Sequence, residues 1–332
     1  MFEVRNTGSV SNADRPQIDW SAMNSEIVSV AALQQPETLI GVIAGLYDVG
    51  VQPQPDAQYP SDLTAAEEAE EISKDPTVRF EDLKDYQDGG KVKRYKLKPV
   101  KPAQSVVLAI DFPDVIVDKG KYFGNSDPKP LRLLLGGEFT PSGGKTIAAR
   151  PLALTLRKND KTNNQWSFPF NHTLYKMAVA AKLINQGEPF VPNDIDKLVG
   201  KALQFKAQVF LNDGKYYTEK CAFAASLSRG QVVPEYDYSL THMIQFNADN
   251  SDEYLKQLRA SVKNTMRNAS DFETSKIKDQ IGEAFVKGDA PKETQAKVEE
   301  KVKTPVKTST KVKAETVTEA DPFNPFDDDV PY

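Results

Sequence analysis

The clearest pattern in the chain is the alternation of apolar and polar residues over Lys201–Leu211. Its two sets of side chains fall on opposite faces of an extended strand, Leu203, Phe205, Val209 and Leu211 on one and Gln204, Lys206 and Gln208 on the other. A second strand, Lys215–Ala225, follows directly after Asn212-Asp213-Gly214. Asp-Gly between two such runs is a hairpin signal, so the pattern predicts two paired antiparallel strands.

Other apolar runs predict further strands upstream of the hairpin. Val, Ile and Leu dominate these runs, and glycine or proline bounds or bends them. Glycines within the first run indicate bending or bulging, as at a barrel corner. The predicted strands are Leu39–Val51, Lys91–Val100 (which alternates basic and apolar residues), Ser105–Phe112, Val115–Val117, and Leu131–Phe139, which Gly136-Gly137 interrupts.

Helical spacing of apolar residues appears at three places. Asn171–Asn185 carries a stripe that ends before Gly187, formed by Leu174, Met177, Ala178, Ala181, Leu183 and Ile184. Asn250–Ser261 begins with Asn250 as the predicted cap and Glu253 three residues later, ahead of Leu255, Leu258, Val262 and Met266. A third start, Ser270 with Glu273, precedes Ile277, Ile281 and Phe285. Residues 27–34 fit either a short strand or a helix.

The resulting order of strand, strand, strand, helix, strand, strand is that of the OB-fold, a five-stranded Greek-key barrel. We therefore predict a mainly β protein with four parts. Residues 1–38 form an N-terminal extension, and residues 39–235 form an OB-fold core that carries an acidic insertion at about 53–90. Residues 249–287 form a small helical segment. Residues 288–332 form a disordered tail, because Gly288–Ala320 consists almost wholly of Lys, Glu, Thr, Val, Ala and Pro.

Charge divides the chain more sharply than its net charge of −5 suggests. Residues 1–90 hold 5 basic and 17 acidic residues, residues 91–233 hold 23 and 11, and residues 234–332 hold 14 and 19. A basic centre of net charge +12 between acidic ends is typical of a protein that binds a polyanion. Chance variation between three segments is the alternative interpretation.

Several function classes find no support in the residues. The single cysteine, Cys221, excludes an internal disulfide and fits a small core residue in a reducing cytoplasm. No apolar run approaches the length of a membrane span, and the N-terminus lacks a signal-peptide pattern, so no membrane association is predicted. His172 and His242 have no cysteine pair nearby, which argues against a zinc site.

One motif invites a nucleotide-binding interpretation. Gly143-Gly144-Lys145-Thr146 resembles the end of a phosphate-binding loop, but that loop needs a glycine where this chain has Phe139. Asp111 and Asp114 flank Pro113 and could bind a cation, although two carboxylates at a turn are more often solvated. We predict no catalytic activity, no cofactor and no metal; a nucleotide-dependent enzyme is an alternative that rests on the incomplete motif alone.

Binding of a single nucleic-acid strand needs cationic side chains for phosphates and exposed aromatic rings for bases. Three stretches alternate basic and aromatic residues: Lys91–Lys98, Lys119–Phe123 and Lys215–Lys220. Arg132, Lys206 and the loop Arg157–Lys161 ahead of Trp166 extend this predicted binding surface. The predicted contact residues are Lys93, Arg94, Tyr95, Lys96, Lys121, Tyr122, Phe123, Arg132, Lys206, Tyr216 and Lys220. Flanking charges predict exposure of Tyr95, Tyr122 and Tyr216. Core packing is the interpretation adopted for Tyr217, Phe139 and Phe223.

The chain ends on three carboxylates between aromatic rings: Phe326, Asp327, Asp328, Asp329, Val330, Pro331 and Tyr332. Aromatic area, carboxylates and a terminal carboxylate suit a basic pocket with an apolar floor on another protein. The end resembles the acidic tip of bacterial single-stranded DNA-binding proteins, Asp-Asp-Asp-Ile-Pro-Phe, with Val330 for Ile and Tyr332 for Phe. The resemblance implies partners among the replication and repair proteins that recognise such tips.

A second resemblance covers about a third of the chain. Its features are Tyr47-Asp48-Val49-Gly50, Asp111-Phe112-Pro113, Gly137-Glu138-Phe139-Thr140 and Leu198-Val199-Gly200-Lys201. These stretches resemble a family of small phage proteins that bind single-stranded DNA. The resemblance implies a protein that coats single-stranded DNA during replication, recombination or repair, in the bacterial cytoplasm or a phage's host cell, as a monomer or a homo-oligomer. An interaction protein that imitates the host tip and has little DNA affinity is the alternative.

Overall fold

The computed structural model describes residues 19–85, 89–141, 144–158 and 165–281. Within them, residues of 1–54 and 101–282 form one compact unit, called the main unit, and residues 55–100 form a second, called the small unit. The predicted tail and tip, most of the N-terminal extension and part of the Arg157–Lys161 loop lie outside the described residues. The mainly β prediction is confirmed: antiparallel sheets dominate both units.

The strands of the described residues are, in chain order, β1 (Glu37–Gln52), β2 (Ala57–Pro60), β3 (Arg79–Asp85), β4 (Lys91–Lys98), β5 (Ala103–Val117), β6 (Lys129–Leu134), β7 (Glu138–Phe139), β8 (Ile147–Ala148), β9 (Leu152–Ala153), β10 (Arg157–Lys158), β11 (Trp166–Ser167), β12 (Ala202–Asn212), β13 (Tyr216–Ala225) and β14 (His242–Ile244). The α-helices are α1 (Trp20–Ala31), α2 (Ala65–Lys74), α3 (Thr173–Ala180), α4 (Asp252–Gln257), α5 (Ala260–Arg267) and α6 (Ile277–Ile281). Shorter 3₁₀ turns include Gly120–Phe123 and Pro192–Leu198.

The main sheet runs in the order β13-β12-β1-β5-β6, with antiparallel pairing along the whole path. Two short strands join its sides: β14 pairs parallel with β1, and β9 pairs antiparallel with β5. Strand β1 shifts register at Ile43/Gly45 and again at Asp48/Val51, which agrees with the bulges expected from its glycines. The described strands form no closed barrel.

The two ends of this path approach each other just after β6. The amide of Gly136 donates to the carbonyl of Cys221 at 2.7 Å. Gly137 follows with φ of 76°, and a side chain there would collide with the carbonyl oxygen of Glu219. Glycine is therefore required at the point where the backbone after β6 meets β13.

Both faces of β1, β5 and β6 are buried. Successive side chains of β5 alternate between two apolar clusters, with Val106 and Leu108 in one and Val107 and Ala109 in the other. The inner cluster, which contains Val106 and Leu108, packs against α1 and α3. The outer cluster, which contains Val107 and Ala109, packs against residues 244–281, including α4 to α6. Burial on both faces explains why β1 and β5 are nearly continuous apolar runs while β12 alternates.

The small unit is a three-stranded antiparallel sheet in the order β2-β4-β3, with α2 in the connection between β2 and β3. Thr64 and Glu67 form a capping box at the start of α2. Strand β4 corrects the sequence prediction, which placed Lys91–Val100 among the strands of the OB-fold core and ended the insertion near residue 90. Its hydrogen bonds go to β2 and β3 instead.

Several helix predictions need correction in their bounds. Residues 27–34 fall largely in α1, whose Met23, Ile27, Val28 and Ala31 are buried. Helix α3 is only half as long as predicted, and His172 caps its N-terminus. The cap of α4 is Ser251, because the Asn250 amide side chain instead bonds Gln245, Ala248 and Gln280. Helix α4 ends at Gln257, and Leu258 after it is extended, so the predicted long helix is two helices, α4 and α5. In the described part of the chain, no helix is long and apolar enough to cross a membrane.

Candidate nucleic-acid interface

The outward side of the hairpin β12–β13 gathers three of the predicted contact residues. Because Leu203, Phe205, Ala207 and Val209 are buried, the alternate positions of β12 face outward. The register opposes Gln208 to Lys220, Phe210 to Thr218, and Asn212 to Tyr216. We call this set the hairpin face: Lys206, Gln208, Phe210, Tyr216, Thr218 and Lys220.

The hairpin face combines exposed aromatic area with positive charge. Tyr216 is 66% exposed beside the turn at Asn212-Asp213-Gly214, where Asp213 and Gly214 both have positive φ. The ammonium of Lys220 lies 5.6 Å from the centre of the Phe210 ring. A cation held over one ring beside a second exposed ring suits both phosphates and bases of a single strand. Sequence reasoning missed Phe210, although its even spacing from Lys206 and Gln208 already places it on this face.

Lys121, Tyr122 and Phe123 lie together in the 3₁₀ turn Gly120–Phe123, packed against α1. Glu26 of α1 accepts hydrogen bonds from the Lys121 ammonium and the Tyr122 hydroxyl, and the Lys121 bond lowers the pKa of Glu26. Phe123 is 52% exposed and meets Trp20 edge to face at 5.8 Å. The turn therefore offers an exposed ring, but its lysine already has a carboxylate partner.

Arg132 is not part of an exposed path. Its guanidinium binds both carboxylate oxygens of Asp111, at 2.6 and 2.8 Å, and donates to the carbonyl of Leu240 at 3.1 Å. The Tyr236 hydroxyl donates to the same carboxylate at 2.8 Å. Asp111 is 1% exposed, so the expectation of a solvated turn carboxylate is wrong for Asp111, whereas Asp114 is exposed. This arrangement fixes residues 236–240 to the main sheet.

Lys93, Arg94, Tyr95 and Lys96 lie on β4, which belongs to the sheet of the small unit and not to the main sheet. Lys93 pairs with Asp85 at 2.7 Å, Arg94 with Glu68 and Asp82, and Lys96 with Glu71 at 2.6 Å. Tyr95 is half-buried. The most basic stretch of the sequence is therefore neutralised within its own unit.

For the remaining aromatic residues, the predicted exposure is right for some side chains and wrong for others. Tyr217 and Phe223 pack against the inner core, as predicted, and Tyr122 is half-buried rather than exposed. Phe139 is 56% exposed, so its core assignment is wrong. Trp166 is 57% exposed, and the Lys158 ammonium lies 5.5 Å from the centre of its ring, which makes a second cation–aromatic pair on the short hairpin β10–β11.

A buried ionic cluster that sequence analysis missed lies where β6 and β13 approach. The Glu219 carboxylate accepts from Arg259 at 2.5 Å, from the Leu134 amide at 3.3 Å and from the Tyr217 hydroxyl at 3.1 Å. Arg259 also donates to the carbonyl of Arg132 and pairs with Glu138 at 3.3 Å. Desolvation lowers the pKa of nearby Lys119 to about 8. The cluster connects both ends of the sheet path to the start of α5.

Both histidines make structural contacts. His172 caps α3 through Nδ1, and His242 lies between the Tyr47 hydroxyl, 3.0 Å away, and the Leu240 carbonyl, 3.1 Å away. Gly144 and Lys145 border an open cavity of about 370 Å³ with Arg267 and Asn268, and no helix follows them as a phosphate-binding loop requires. No group of three or more His, Cys, Asp or Glu among the described residues could hold a metal ion.

In comparisons with known proteins, no family model, no curated protein sequence and no solved structure matches this chain.

Proposed function

We propose that this chain binds single-stranded DNA through the hairpin face and recruits other proteins through its acidic tip. The observation that carries the proposal is that the exposed Tyr216 ring shares one strand face with Lys220, Phe210 and Lys206. Stacking accepts any base because every base has an aromatic face, while lysines follow the phosphates. Such a surface binds without sequence preference.

The order of the main sheet supports an OB-fold as part of this proposal. Counting β1, β5, β6, β12 and β13 as the five strands, the path β13-β12-β1-β5-β6 is the neighbour order of that fold, with α3 between the third and fourth strands. The hydrogen bond from Gly136 to Cys221 lies where the first and last strands of the path would close.

Because the outer face of the sheet is covered, we favour the hairpin over the centre of the sheet as the DNA-binding surface. OB-folds commonly bind oligonucleotides across strands 2 and 3 and through the loops after strands 1 and 4. In this chain the outer face of β5 and β6 is buried under residues 244–281. The turn between β12 and β13 and the strands that flank it remain exposed, and they carry Tyr216.

The distribution of charge is consistent with this location but weaker than the sequence suggested. Five of the basic residues in the +12 segment belong to β4 of the small unit. Residues 101–233 hold 18 basic and 11 acidic residues, a net charge of +7. A moderate positive charge predicts binding that depends strongly on salt.

A fluorescence titration of the full chain with single-stranded, duplex and RNA oligonucleotides tests the proposal. Single-stranded DNA should bind in preference to duplex, and log affinity should fall linearly with log salt at roughly 0.7 per phosphate contacted. An affinity that does not change with salt, or no binding at low salt, contradicts it. In that case the alternative, an interaction protein that acts through its tip alone, becomes the better account.

A further inference from the structure

Each basic residue on one face of β4 pairs with a carboxylate of α2 or of its C-cap, and Arg94 pairs in addition with Asp82 of β3 at 3.2 Å. Arg94, Lys96 and Lys98 occupy alternate positions, so their side chains share a face of the strand. Glu68 binds Arg94 through both oxygens, at 2.9 Å from Nε and 2.8 Å from the terminal nitrogen. Glu71 pairs with Lys96 at 2.6 Å, and Asp75, the C-cap of α2, pairs with Lys98 at 3.4 Å. We call Arg94, Lys96 and Lys98 the cationic row.

Helix α2 does not pack on the small unit through a buried apolar side chain. None of its ten residues is buried, and its largest apolar side chain, Ile72, is 41% exposed. Its own structure is secured locally, by the Thr64–Glu67 capping box and the Glu70–Lys74 pair at 2.8 Å. Ion pairs rather than burial therefore hold α2 against β4.

Contacts of this kind are readily exchanged. The paired side chains are partly open to solvent, from 12% for Glu68 to 55% for Lys98, so salt weakens these pairs. The groups that α2 presents to the cationic row are carboxylates, and arginine binds carboxylate and phosphate oxygens in the same two-pronged geometry. A polyanion with closely spaced phosphates competes for the same three side chains.

We propose that α2 is a displaceable acidic cover over the cationic row, and that a single nucleic-acid strand binds this row when α2 is displaced. The proposal rests on the function proposed above, in which the hairpin face makes the primary contact. The small unit then adds a second phosphate-binding surface that opens only when a polyanion of sufficient local concentration replaces the carboxylates. Binding at this second surface is held back while polyanion is scarce, because the carboxylates of α2 then occupy the row.

A pair of charge-matched variants of the full chain tests the cover. Glu68→Gln with Glu71→Gln removes two carboxylates from the row, and Gln keeps the helix propensity of Glu. Asp62→Asn with Asp114→Asn removes the same charge from exposed residues outside α2 that do not pair with β4. At low salt we expect the first variant to bind oligothymidylate about three- to tenfold more tightly than the second, and the difference to vanish at high salt.

Substitution of the cations in the row is the second part of the test. Adding Arg94→Gln and Lys96→Gln to the cover variant should cancel its gain, since no cations remain to be uncovered. Amide hydrogen exchange gives a readout independent of affinity, because α2 amides of the unmodified protein should exchange faster when oligothymidylate or salt is added.

The outcomes separate this inference from the proposed function. If the unmodified chain binds oligothymidylate but the cover variant matches its charge-matched control, the cover is wrong and the proposed function stands. A gain that survives loss of Arg94 and Lys96 also overturns the cover. If the unmodified chain does not bind and only the cover variant does, the cover is supported and the hairpin face is not the primary site.

Discussion

The Glu219 carboxylate on β13 lies 2.5 Å from the Arg259 guanidinium at the start of α5, and Glu219 is 3% exposed. A buried charge of this kind is tolerable only when it is paired and hydrogen-bonded. The pair also spans the place where β6 and β13 meet without a strand ladder, because Glu219 accepts from the Leu134 amide. The C-terminal helical segment is thus part of the main fold and completes its sheet.

Loss of one member of this pair should cost far more stability than loss of both. Arg259→Met leaves Glu219 buried without its cation, so we expect a loss of about 3–5 kcal/mol in the free energy of unfolding. Arg259→Met combined with Glu219→Met should recover much of that loss. Urea unfolding of the two single variants and the double variant measures the coupling. Additive effects would mean that the two charges act independently.

Tyr216→Ala should weaken binding of single-stranded DNA by about 1–3 kcal/mol with little change in melting temperature, because the ring is exposed and available for stacking. Tyr217→Ala is the matched control on the opposite face. Tyr217 packs against the core and donates to Glu219, so its loss should lower the melting temperature instead. Equal effects of the two substitutions on both quantities would remove Tyr216 from the interface.

Arg132→Met should destabilise the protein without a specific effect on DNA affinity. The substitution leaves Asp111 buried with only the Tyr236 hydroxyl, which should cost about 3–5 kcal/mol. Lys206→Met, on the exposed hairpin face, should do the reverse and reduce the slope of log affinity against log salt by roughly 0.7. Chemical unfolding and salt-dependent titration of the folded fraction distinguish the two roles.

Mild acid should weaken the folded state through His242. Burial lowers the pKa of His242 below its ordinary value of 6.5, so the folded protein favours the neutral ring. The unfolded chain binds the proton more readily, and the stability present above about pH 6.5 is therefore lost as pH falls toward the folded-state pKa. Burial lowers the pKa of His172 as well, so each histidine accounts for part of the pH dependence. His242→Gln should remove one part, and His172→Gln should remove the other. Urea midpoints between about pH 7 and pH 5 report it. An unchanged profile in both variants would assign the effect elsewhere.

Deletion of residues 324–332 should abolish binding to proteins that recognise bacterial acidic tips, such as exonuclease or clamp-loader subunits. DNA affinity should stay equal or rise, most visibly at low salt, since the acidic end no longer competes for basic side chains. Tyr332→Ala should weaken partner binding more than Asp327→Ala, because it empties an apolar pocket instead of thinning a charge cluster. Pull-down and titration of the same samples separate the effects. Unchanged partner binding with lower DNA affinity would contradict the tip's proposed role.

Local patterns proved reliable for the elements of the main sheet. The alternation in β12 and the Asp-Gly turn correctly predicted a hairpin, and the buried positions Leu203, Phe205 and Val209 were all correct. The glycines of β1 correctly indicated bulges. Helix ends were less predictable, since Asn250 has the residue type of a cap yet bonds Gln280 instead.

The sequence by itself determined the long strands of the main sheet, which face of β12 is apolar, and where charge accumulates. These properties depend on near neighbours, through side-chain alternation and turn chemistry. Only the tertiary structure decided which charges are available to a ligand. Arg132 pairs with Asp111 on the neighbouring strand. Arg94 pairs with Glu68, which lies 26 residues earlier on a helix, and Arg259 pairs with Glu219, 40 residues earlier. A carboxylate that pairs with a basic residue competes with any ligand for it, and that pairing is set by sheet order, which no local pattern encodes.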